Sequence, residues 1–150
     1  MIRQKVLFIC IHNSARSQMA EELLRKMAGD RFEVASAGLE PGAVNPLVVK
    51  ALAEEGIDIS GKKTVSAFDL LKQGKFFTYV VTVCDEASAE SCPIFPGTRE
   101  RIHWGFPDPY TFTGSDEEKL ERIREIRDAI KKGISSWLRE LDAGEKLRAV

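Results

Sequence analysis

The sequence predicts an α/β fold, a three-layer, doubly wound sheet of four parallel strands with helices on both faces. Short runs of β-branched and aromatic residues alternate with segments in which apolar residues recur at helical spacing. This alternation is typical of a parallel sheet covered by helices. The 150 residues contain no internal repeat and no linker rich in proline, glycine or serine. We therefore expect a single domain over 1–150, with a core of about 3–141.

Four segments carry the strand signal, each a short apolar run that ends at a polar or turn-forming residue. They are residues 5–9, 32–36, 77–83 and 101–104. The third is the longest continuous run and the fourth is the shortest signal. We expect all four to be parallel, because helical segments separate most of them.

Helices are predicted from capping residues and from apolar stripes at three- and four-residue spacing. They begin at Ser17, at Pro46 after the cap Asn45, after the cap Ser66, and at about Asp116. The first should stop at Gly29 and the second at Gly56, since glycine commonly ends a helix. The last helix carries the clearest stripe.

Composition and charge exclude several classes of function. The chain has 22 basic and 23 acidic residues, without the basic excess of a nucleic-acid-binding protein. Its apolar runs are far shorter than the roughly 20 residues that span a bilayer. The N-terminus resembles no signal peptide, so we expect a cytoplasmic protein whose three cysteines are reduced. We also expect neither a nucleic acid nor a membrane as a partner, and a monomer, the default for a domain of this size.

The segment from Cys10 to Ser17 joins the first strand to the first helix, where parallel sheets bind ligands. Backbone N–H groups that lead into a helix bind anions, and the Arg16 guanidinium matches two oxygens of a tetrahedral oxyanion. The positive field favours the Cys10 thiolate as a nucleophile over a buried structural cysteine. The predicted oxyanion-binding residues are Ile11, His12, Asn13, Ser14, Ala15, Arg16 and Ser17.

Three further residues could take part in the chemistry. Asp108 lies between two prolines and is either a proton donor or an ordinary turn aspartate. Cys84 follows the third strand, at the same edge of the sheet as Cys10, and Cys92 lies in a polar, mobile segment before Pro93. Their spacing disfavours zinc, which leaves simple burial of Cys84 or a relay of thiols.

Some polar residues need no functional role. We expect the side chain of His12 to point outward, because backbone amides do the binding in such loops. His103 is interpreted as a packed strand residue. Lys62 and Lys63 are interpreted as solvated surface.

The block from Phe8 to Glu21 resembles the phosphate-binding loop of the low-molecular-weight protein tyrosine phosphatase superfamily, and in particular its thioredoxin-coupled arsenate reductase branch. The resemblance implies the fold of that superfamily. It also implies that Cys10 is the nucleophile, Arg16 the oxyanion clamp and Asp108 the acid. Asn13 would shape the loop and Ser17 would stabilise the thiolate. The reductase branch carries its second and third cysteines at the places of Cys84 and Cys92.

Three residues depart from this resemblance. Family members often have a further cysteine in the loop, where this chain has Ala15. Some bind potassium through an asparagine, a glutamate, a serine and an aspartate. Asn13, Glu21 and Ser36 match, but residues 62–66 lack the aspartate, so we expect no metal. Tyr110 is more typical of the phosphatase branch.

The first hypothesis is therefore an arsenate reductase for arsenic detoxification, without a bound cofactor. Oxidation would pass from Cys10 to Cys84 to Cys92, and an external dithiol protein such as thioredoxin would remove it. The second hypothesis is a tyrosine phosphatase that uses Cys10, Arg16 and Asp108. The third is a non-catalytic oxyanion-binding redox sensor.

Overall fold

A sheet of four parallel strands, in the order β2-β1-β3-β4, organises the molecule. The computed structural model describes residues 3–149, apart from the side chains at positions 86, 87 and 145–149. The strands are β1 (Gln4–Cys10), β2 (Phe32–Gly38), β3 (Tyr79–Thr82) and β4 (Glu100–His103). The helices are α1 (Arg16–Ala28), α2 (Pro46–Ala53), α3 (Ala67–Lys72), α4 (Glu86–Glu90) and α5 (Asp116–Ala149), and a 3-10 turn covers Pro109–Thr111. The predicted sheet is confirmed.

Capping side chains start two of the helices where the sequence predicts them. The Asn45 side chain accepts a hydrogen bond from the Leu47 N–H at 2.9 Å, with Pro46 in the first turn of α2. The Ser66 hydroxyl accepts one from the Asp69 N–H at 3.3 Å and starts α3. Both bonds satisfy N–H groups that have no partner within the helix.

Two local elements were not predicted from the sequence. One is α4, which is five residues long and is capped by Asp85 through the Ser88 N–H at 2.8 Å. The other is the 3-10 turn after Asp108. In addition, β3 is shorter than the predicted 77–83, although hydrogen bonds at Thr78 and Val83 continue the ladder with β1 at both ends.

The two faces of the sheet carry separate apolar cores. Along β1, Val6 and Phe8 point to the face covered by α1, α2 and α5, whereas Leu7 and Ile9 point to the other face. All four are fully buried, as expected of a parallel sheet covered on both sides. Cys10 and Cys84 belong to the first core, and Cys92 belongs to the second.

Within the described residues, no helix combines the length and the apolar character needed to cross a membrane. The longest, α5, has 34 residues and begins with three acidic residues in its first turn.

Candidate active site

The loop between β1 and α1 turns its carbonyl oxygens outward. The carbonyls of Cys10, Ile11, His12 and Ser14 accept hydrogen bonds of 2.7–3.1 Å from N–H groups in the segment 39–45. Because these carbonyls are held against that neighbouring segment, successive N–H groups of the loop are left facing its centre. Such a ring of N–H groups is the geometry that binds a tetrahedral anion.

The first turn of α1 completes this loop. Ala15 precedes the helix without a side-chain cap, so the first N–H groups of α1 are not taken by a capping residue. The loop also packs directly on β2 at Gly38. A Cβ atom at that position would lie 2.8 Å from both Asn13 N and Ile11 O. A side chain at residue 38 would therefore displace the loop.

Cys10 lies at the centre of this ring of donors. Its sulfur accepts a hydrogen bond from the Asn13 N–H at 3.2 Å and lies 2.9 Å from the Ser17 hydroxyl oxygen. The side chain is 1% exposed. Hydrogen bonds donated to a cysteine sulfur favour the thiolate, which is the nucleophilic form of the side chain.

Asn13 shapes the loop through its side chain as well as its backbone. Its φ of 55° lies in the left-handed region, which asparagine tolerates better than most residues. Its amide nitrogen donates to Ser17 Oγ at 2.7 Å and to Ser36 Oγ at 2.9 Å. Its amide oxygen accepts from Gln18 Nε2 at 3.2 Å and from the Val65 N–H at 2.9 Å. All four hydrogen-bonding positions of the amide are used, which locks its orientation.

Arg16 and Asp108, 92 residues apart in the chain, meet beside the loop. The Arg16 guanidinium is 3% exposed, donates to the Phe106 carbonyl at 3.1 Å and lies 3.7 Å from Asp108 Oδ2. The other Asp108 oxygen accepts the Tyr110 N–H at 2.9 Å. The carboxyl group is thus held next to the group predicted to clamp the oxyanion, where a proton donor is needed.

Cys84 lies next to Cys10 across the sheet. In the pairing of β1 with β3, Ile9 is opposite Thr82, and the Val83 N–H donates to the Ile9 carbonyl at 2.9 Å. Cys10 is the last residue of β1, and Cys84 lies two residues beyond the end of β3, at the same edge of the sheet. Adjacent strands run about 4.8 Å apart. Burial raises the pKa of the Cys84 thiol above its ordinary value, and the nearby positive charge of Arg16 opposes this shift.

Cys92 is buried in the second core, so the prediction of a polar setting for it is wrong. Its side chain is 7% exposed and belongs to the cluster that includes Ile9 and Phe95. Phe95 in turn meets Phe77 edge to face, with ring centroids 5.4 Å apart. Burial raises the pKa of the Cys92 thiol to about 11. The reduced thiol is therefore neutral at physiological pH.

The two histidines do not face the sulfur of Cys10. His12 packs against Tyr110 with ring centroids 4.7 Å apart, and its Nδ1 lies 3.0 Å from the Glu40 carbonyl oxygen. His103 is exposed on β4, and its Nδ1 lies 2.7 Å from Thr82 Oγ1. The interpretation of His103 as a packed residue is wrong, because β4 is an edge strand and its side chain faces solvent.

The interpretation of Lys62 as solvated surface is also wrong. Its ammonium lies 2.8 Å from Glu21 Oε1 and 2.7 Å from Glu22 Oε1, and its side chain is 25% exposed. Lys63 is exposed, as predicted. Glu21 thus has a lysine ammonium beside it. Within the described part of the chain, no three His, Cys, Asp or Glu side chains form a group that could hold a metal ion.

Comparison with known proteins connects this geometry to a family. Residues 5–147 match the family described as low molecular weight phosphotyrosine protein phosphatase. An arsenate reductase of Halalkalibacterium halodurans is 45% identical over 139 residues, which cover 91% of this chain and 96% of that protein.

Two solved structures are similar along most of the chain. One is an arsenate reductase in its phosphate-binding state, with a TM-score of 0.71, 27% identity, and coverage of 91% of this chain and 98% of that one. The other is a thioredoxin-dependent arsenate reductase of Corynebacterium glutamicum, with a TM-score of 0.60 and 31% identity. That match covers 90% of this chain and 63% of the other.

Proposed function

Since the chain belongs to the low molecular weight phosphotyrosine protein phosphatase family, we propose that it is an arsenate reductase that converts arsenate to arsenite and so serves arsenic detoxification. The observation that carries this proposal is the placement of the thiols. Cys10 ends β1, Cys84 lies just beyond the end of the adjacent β3, and Cys92 follows Cys84 by eight positions. Phosphate-ester hydrolysis needs only the first of these thiols, whereas a reduction that ends in a disulfide needs more.

The first step is a displacement at arsenic. The loop N–H groups and Arg16 hold the oxygens of arsenate, a tetrahedral oxyanion like phosphate. The Cys10 thiolate attacks arsenic and forms a sulfur–arsenic bond. One oxygen leaves as water after the Asp108 carboxyl supplies a proton.

The second step reduces the arsenic. Cys84 loses its proton and attacks the Cys10 sulfur. The electron pair of the sulfur–arsenic bond stays on arsenic, which changes from As(V) to As(III) and leaves as arsenite. The product is a Cys10–Cys84 disulfide, formed between neighbouring ends of β1 and β3. Arg16 lies near enough to assist the ionisation of Cys84.

The third step moves the oxidation away from the loop. Once exposed, the Cys92 thiol loses its proton to solvent and attacks Cys84, the Cys10 thiolate is released, and a Cys84–Cys92 disulfide forms. A disulfide requires Cα atoms within about 7 Å, so α4, which lies between the two cysteines, must loosen. This helix has only five residues, with Asp85 as its N-cap and Ser91 as its C-cap.

An external dithiol then reduces the Cys84–Cys92 disulfide. We propose thioredoxin as this partner, because a protein dithiol resolves an intramolecular disulfide efficiently. The thioredoxin dependence of the Corynebacterium glutamicum relative supports this choice. We place the reaction in the cytoplasm, with the chain acting as a monomer, as one catalytic domain, and without a bound cofactor.

The experiment is a coupled assay of the purified protein with thioredoxin, thioredoxin reductase and NADPH. Arsenate should cause NADPH consumption that stops when arsenate is omitted. Absence of arsenate-dependent consumption, with a reductase pair shown to be active on a control disulfide, would overturn the proposal.

A second candidate is hydrolysis of aryl phosphates, favoured by the His12–Tyr110 pair beside the loop. Tyr110 is 59% exposed and could pack against an aromatic leaving group. In that reaction, water rather than Cys84 attacks the Cys10 intermediate. Full turnover of an aryl phosphate by Cys84→Ser, with none by Cys10→Ser and no reduction of arsenate by the wild type, would favour this candidate.

A further inference from the structure

Glu21 is a buried carboxylate with three cationic or hydroxyl partners. It is 5% exposed, and Ser36 Oγ donates to its Oε1 at 2.5 Å. The Lys62 ammonium lies 2.8 Å from the same oxygen, and an Arg25 guanidinium nitrogen lies 2.5 Å from Oε2. A carboxylate this deeply buried stays ionised only if such partners offset its loss of hydration.

A continuous chain of hydrogen bonds runs from Glu21 to Cys10. Ser36 gives its hydroxyl proton to Glu21 and accepts a hydrogen bond from Asn13 Nδ2 at 2.9 Å. Asn13 Nδ2 also donates to Ser17 Oγ at 2.7 Å. Ser17 Oγ lies 2.9 Å from Cys10 Sγ, and its own proton is the one left to point at that sulfur.

The charge of Glu21 sets the direction of this chain. An ionised carboxylate can only accept, so Ser36 must donate to it. Ser36 then has lone pairs left to accept from Asn13, and this fixes the amide orientation. Ser17 accepts from the same amide and is free to donate to the thiolate.

The Lys62 ammonium faces Glu21 Oε1, the oxygen at which the chain of hydrogen bonds begins. The same ammonium also lies 2.7 Å from Glu22 Oε1. Burial raises the pKa of the Glu22 carboxyl, but hydrogen bonds from Lys62 and Arg25 outweigh burial, and the pKa lies below its ordinary value. Three residues further on, the Val65 N–H donates to Asn13 Oδ1. The segment 62–65 therefore contacts the Asn13 side chain in two ways. Val65 binds its amide oxygen directly, and Lys62 acts on its amide nitrogen through Glu21 and Ser36.

We propose that Lys62 is a positioning residue for the oxyanion loop, an internal cation that faces the same Glu21 oxygen as the Ser36 hydroxyl and so directs the Ser36–Asn13–Ser17 chain toward Cys10. The inference rests on the proposed role of Cys10 as the nucleophile. A solvent-exposed ion pair contributes little to the structure, but this carboxylate is buried. Loss of Lys62 removes the cation beside Oε1 and leaves the Arg25 guanidinium, at Oε2, to offset the buried charge without it.

The experiment compares Lys62→Met with Lys62→Arg and with the matched control Lys63→Met. Two quantities are measured on reduced protein without arsenate or thioredoxin. They are the rate of Cys10 alkylation by iodoacetamide at neutral pH, resolved by peptide mass spectrometry, and the affinity for inorganic phosphate by calorimetry. Because neither uses the reductase reaction, a failure of this proposal is distinguishable from a failure of the proposed function.

Lys62→Met should lower the alkylation rate of Cys10 by roughly tenfold and weaken phosphate binding by a similar factor. Lys62→Arg should recover most of both losses, and Lys63→Met should match the wild type. Wild-type values in folded Lys62→Met would overturn the proposal. So would a loss of equal size in Lys62→Arg, because the charge would then not be the cause.

Ser36→Ala provides a second test, which remains available if Lys62→Met does not fold. It interrupts the chain without changing any charge and should reproduce the loss of Cys10 reactivity. Lys62→Gln is also measured, alone and combined with Ser36→Ala. The losses of Cys10 reactivity in the two single variants should not add in the double variant, because both residues act through the same hydrogen-bond chain. Full reactivity in Ser36→Ala, or additive losses, would overturn the proposal.

Discussion

Cys10 and Cys92 are both buried thiols, but their surroundings differ completely. Cys10 is 1% exposed, accepts a hydrogen bond from the Asn13 N–H and lies 2.9 Å from the Ser17 hydroxyl oxygen. Cys92 is 7% exposed and lies among apolar side chains that raise its pKa to about 11. The loop is built to hold a thiolate in place, whereas the region around Cys92 holds a neutral thiol that must be released before it reacts.

The largest expected effect comes from removing each thiol in turn. Cys10→Ser should produce no arsenite, because the attacking sulfur is absent. Cys84→Ser should leave arsenic on Cys10 without a protein disulfide. Cys92→Ser should release one equivalent of arsenite and stop as a Cys10–Cys84 disulfide.

Quantified arsenite and intact-protein mass spectrometry after a single turnover distinguish these states. The wild type without reductant should end as a Cys84–Cys92 disulfide with Cys10 free to alkylate. Multiple turnovers of Cys92→Ser with thioredoxin would show that Cys92 is not needed in the mechanism. The difference between the surroundings of Cys10 and Cys92 would then have no functional meaning.

Removal of the proposed proton donor, Asp108, should slow the step at the Cys10 loop and leave the surroundings of Cys92 unchanged. Asp108→Asn keeps the shape of the side chain but cannot donate a carboxyl proton, so kcat for arsenate should fall by about 10²-fold. The exposed Asp128→Asn on α5 is the matched control. A kcat of Asp108→Asn within twofold of the wild type would exclude Asp108 as the acid.

The alkylation rate of Cys92 reports how well the surrounding apolar cluster shields this thiol from solvent. A pKa of about 11 against an ordinary 9.0 implies roughly a hundredfold less thiolate near pH 8. Alkylation of Cys92 in the reduced protein should be slower by at least that factor than in the urea-unfolded chain. Equal rates would mean that the apolar cluster opens freely without oxidation.

Oxidation should loosen the segment 85–91, because the Cys84–Cys92 bond cannot form across an intact α4. Amide hydrogen exchange in these residues should be faster in the oxidised than in the reduced protein, while exchange at 10–17 stays unchanged. Unchanged exchange at 85–91 would indicate that the disulfide forms without movement of the helix.

The smallest effect concerns the ion pairs between α2 and α5, which are remote from both regions. Hydrogen bonds from Arg124 and Arg127 lower the pKa of Glu54 from 4.5 to about 2. A lowered pKa stabilises the fold above pH 4.5, and this contribution is lost as the pH falls toward 2. Glu54→Gln should therefore melt slightly below the wild type at pH 7, and the difference should disappear near pH 2.

Thermal melting across this pH range checks the expectation, with Cys10 alkylation measured alongside it. Alkylation should not change in Glu54→Gln. A melting difference that persists at pH 2 would show that the pairs act through something other than the charge of Glu54.

The elements that could be predicted from the sequence are those with a local cause. Asn45-Pro46 and Ser66 start helices through hydrogen bonds within three residues. α4 escaped prediction because five polar and small residues carry no apolar stripe, and the Asp85 cap with Ser88 three residues later was its only local signal.

Sequence alone determined the alternation of strands and helices, the loop from Cys10 to Ser17 and the candidate chemistry of its residues. Tertiary structure alone decided that Arg16 faces Asp108, that Cys92 is buried in the same apolar cluster as Ile9, and that Lys62 pairs with Glu21. The physical reason is range. Capping and periodicity act within a few residues, but Lys62 and Glu22 are 40 positions apart, and their contact exists only because the fold brings them together.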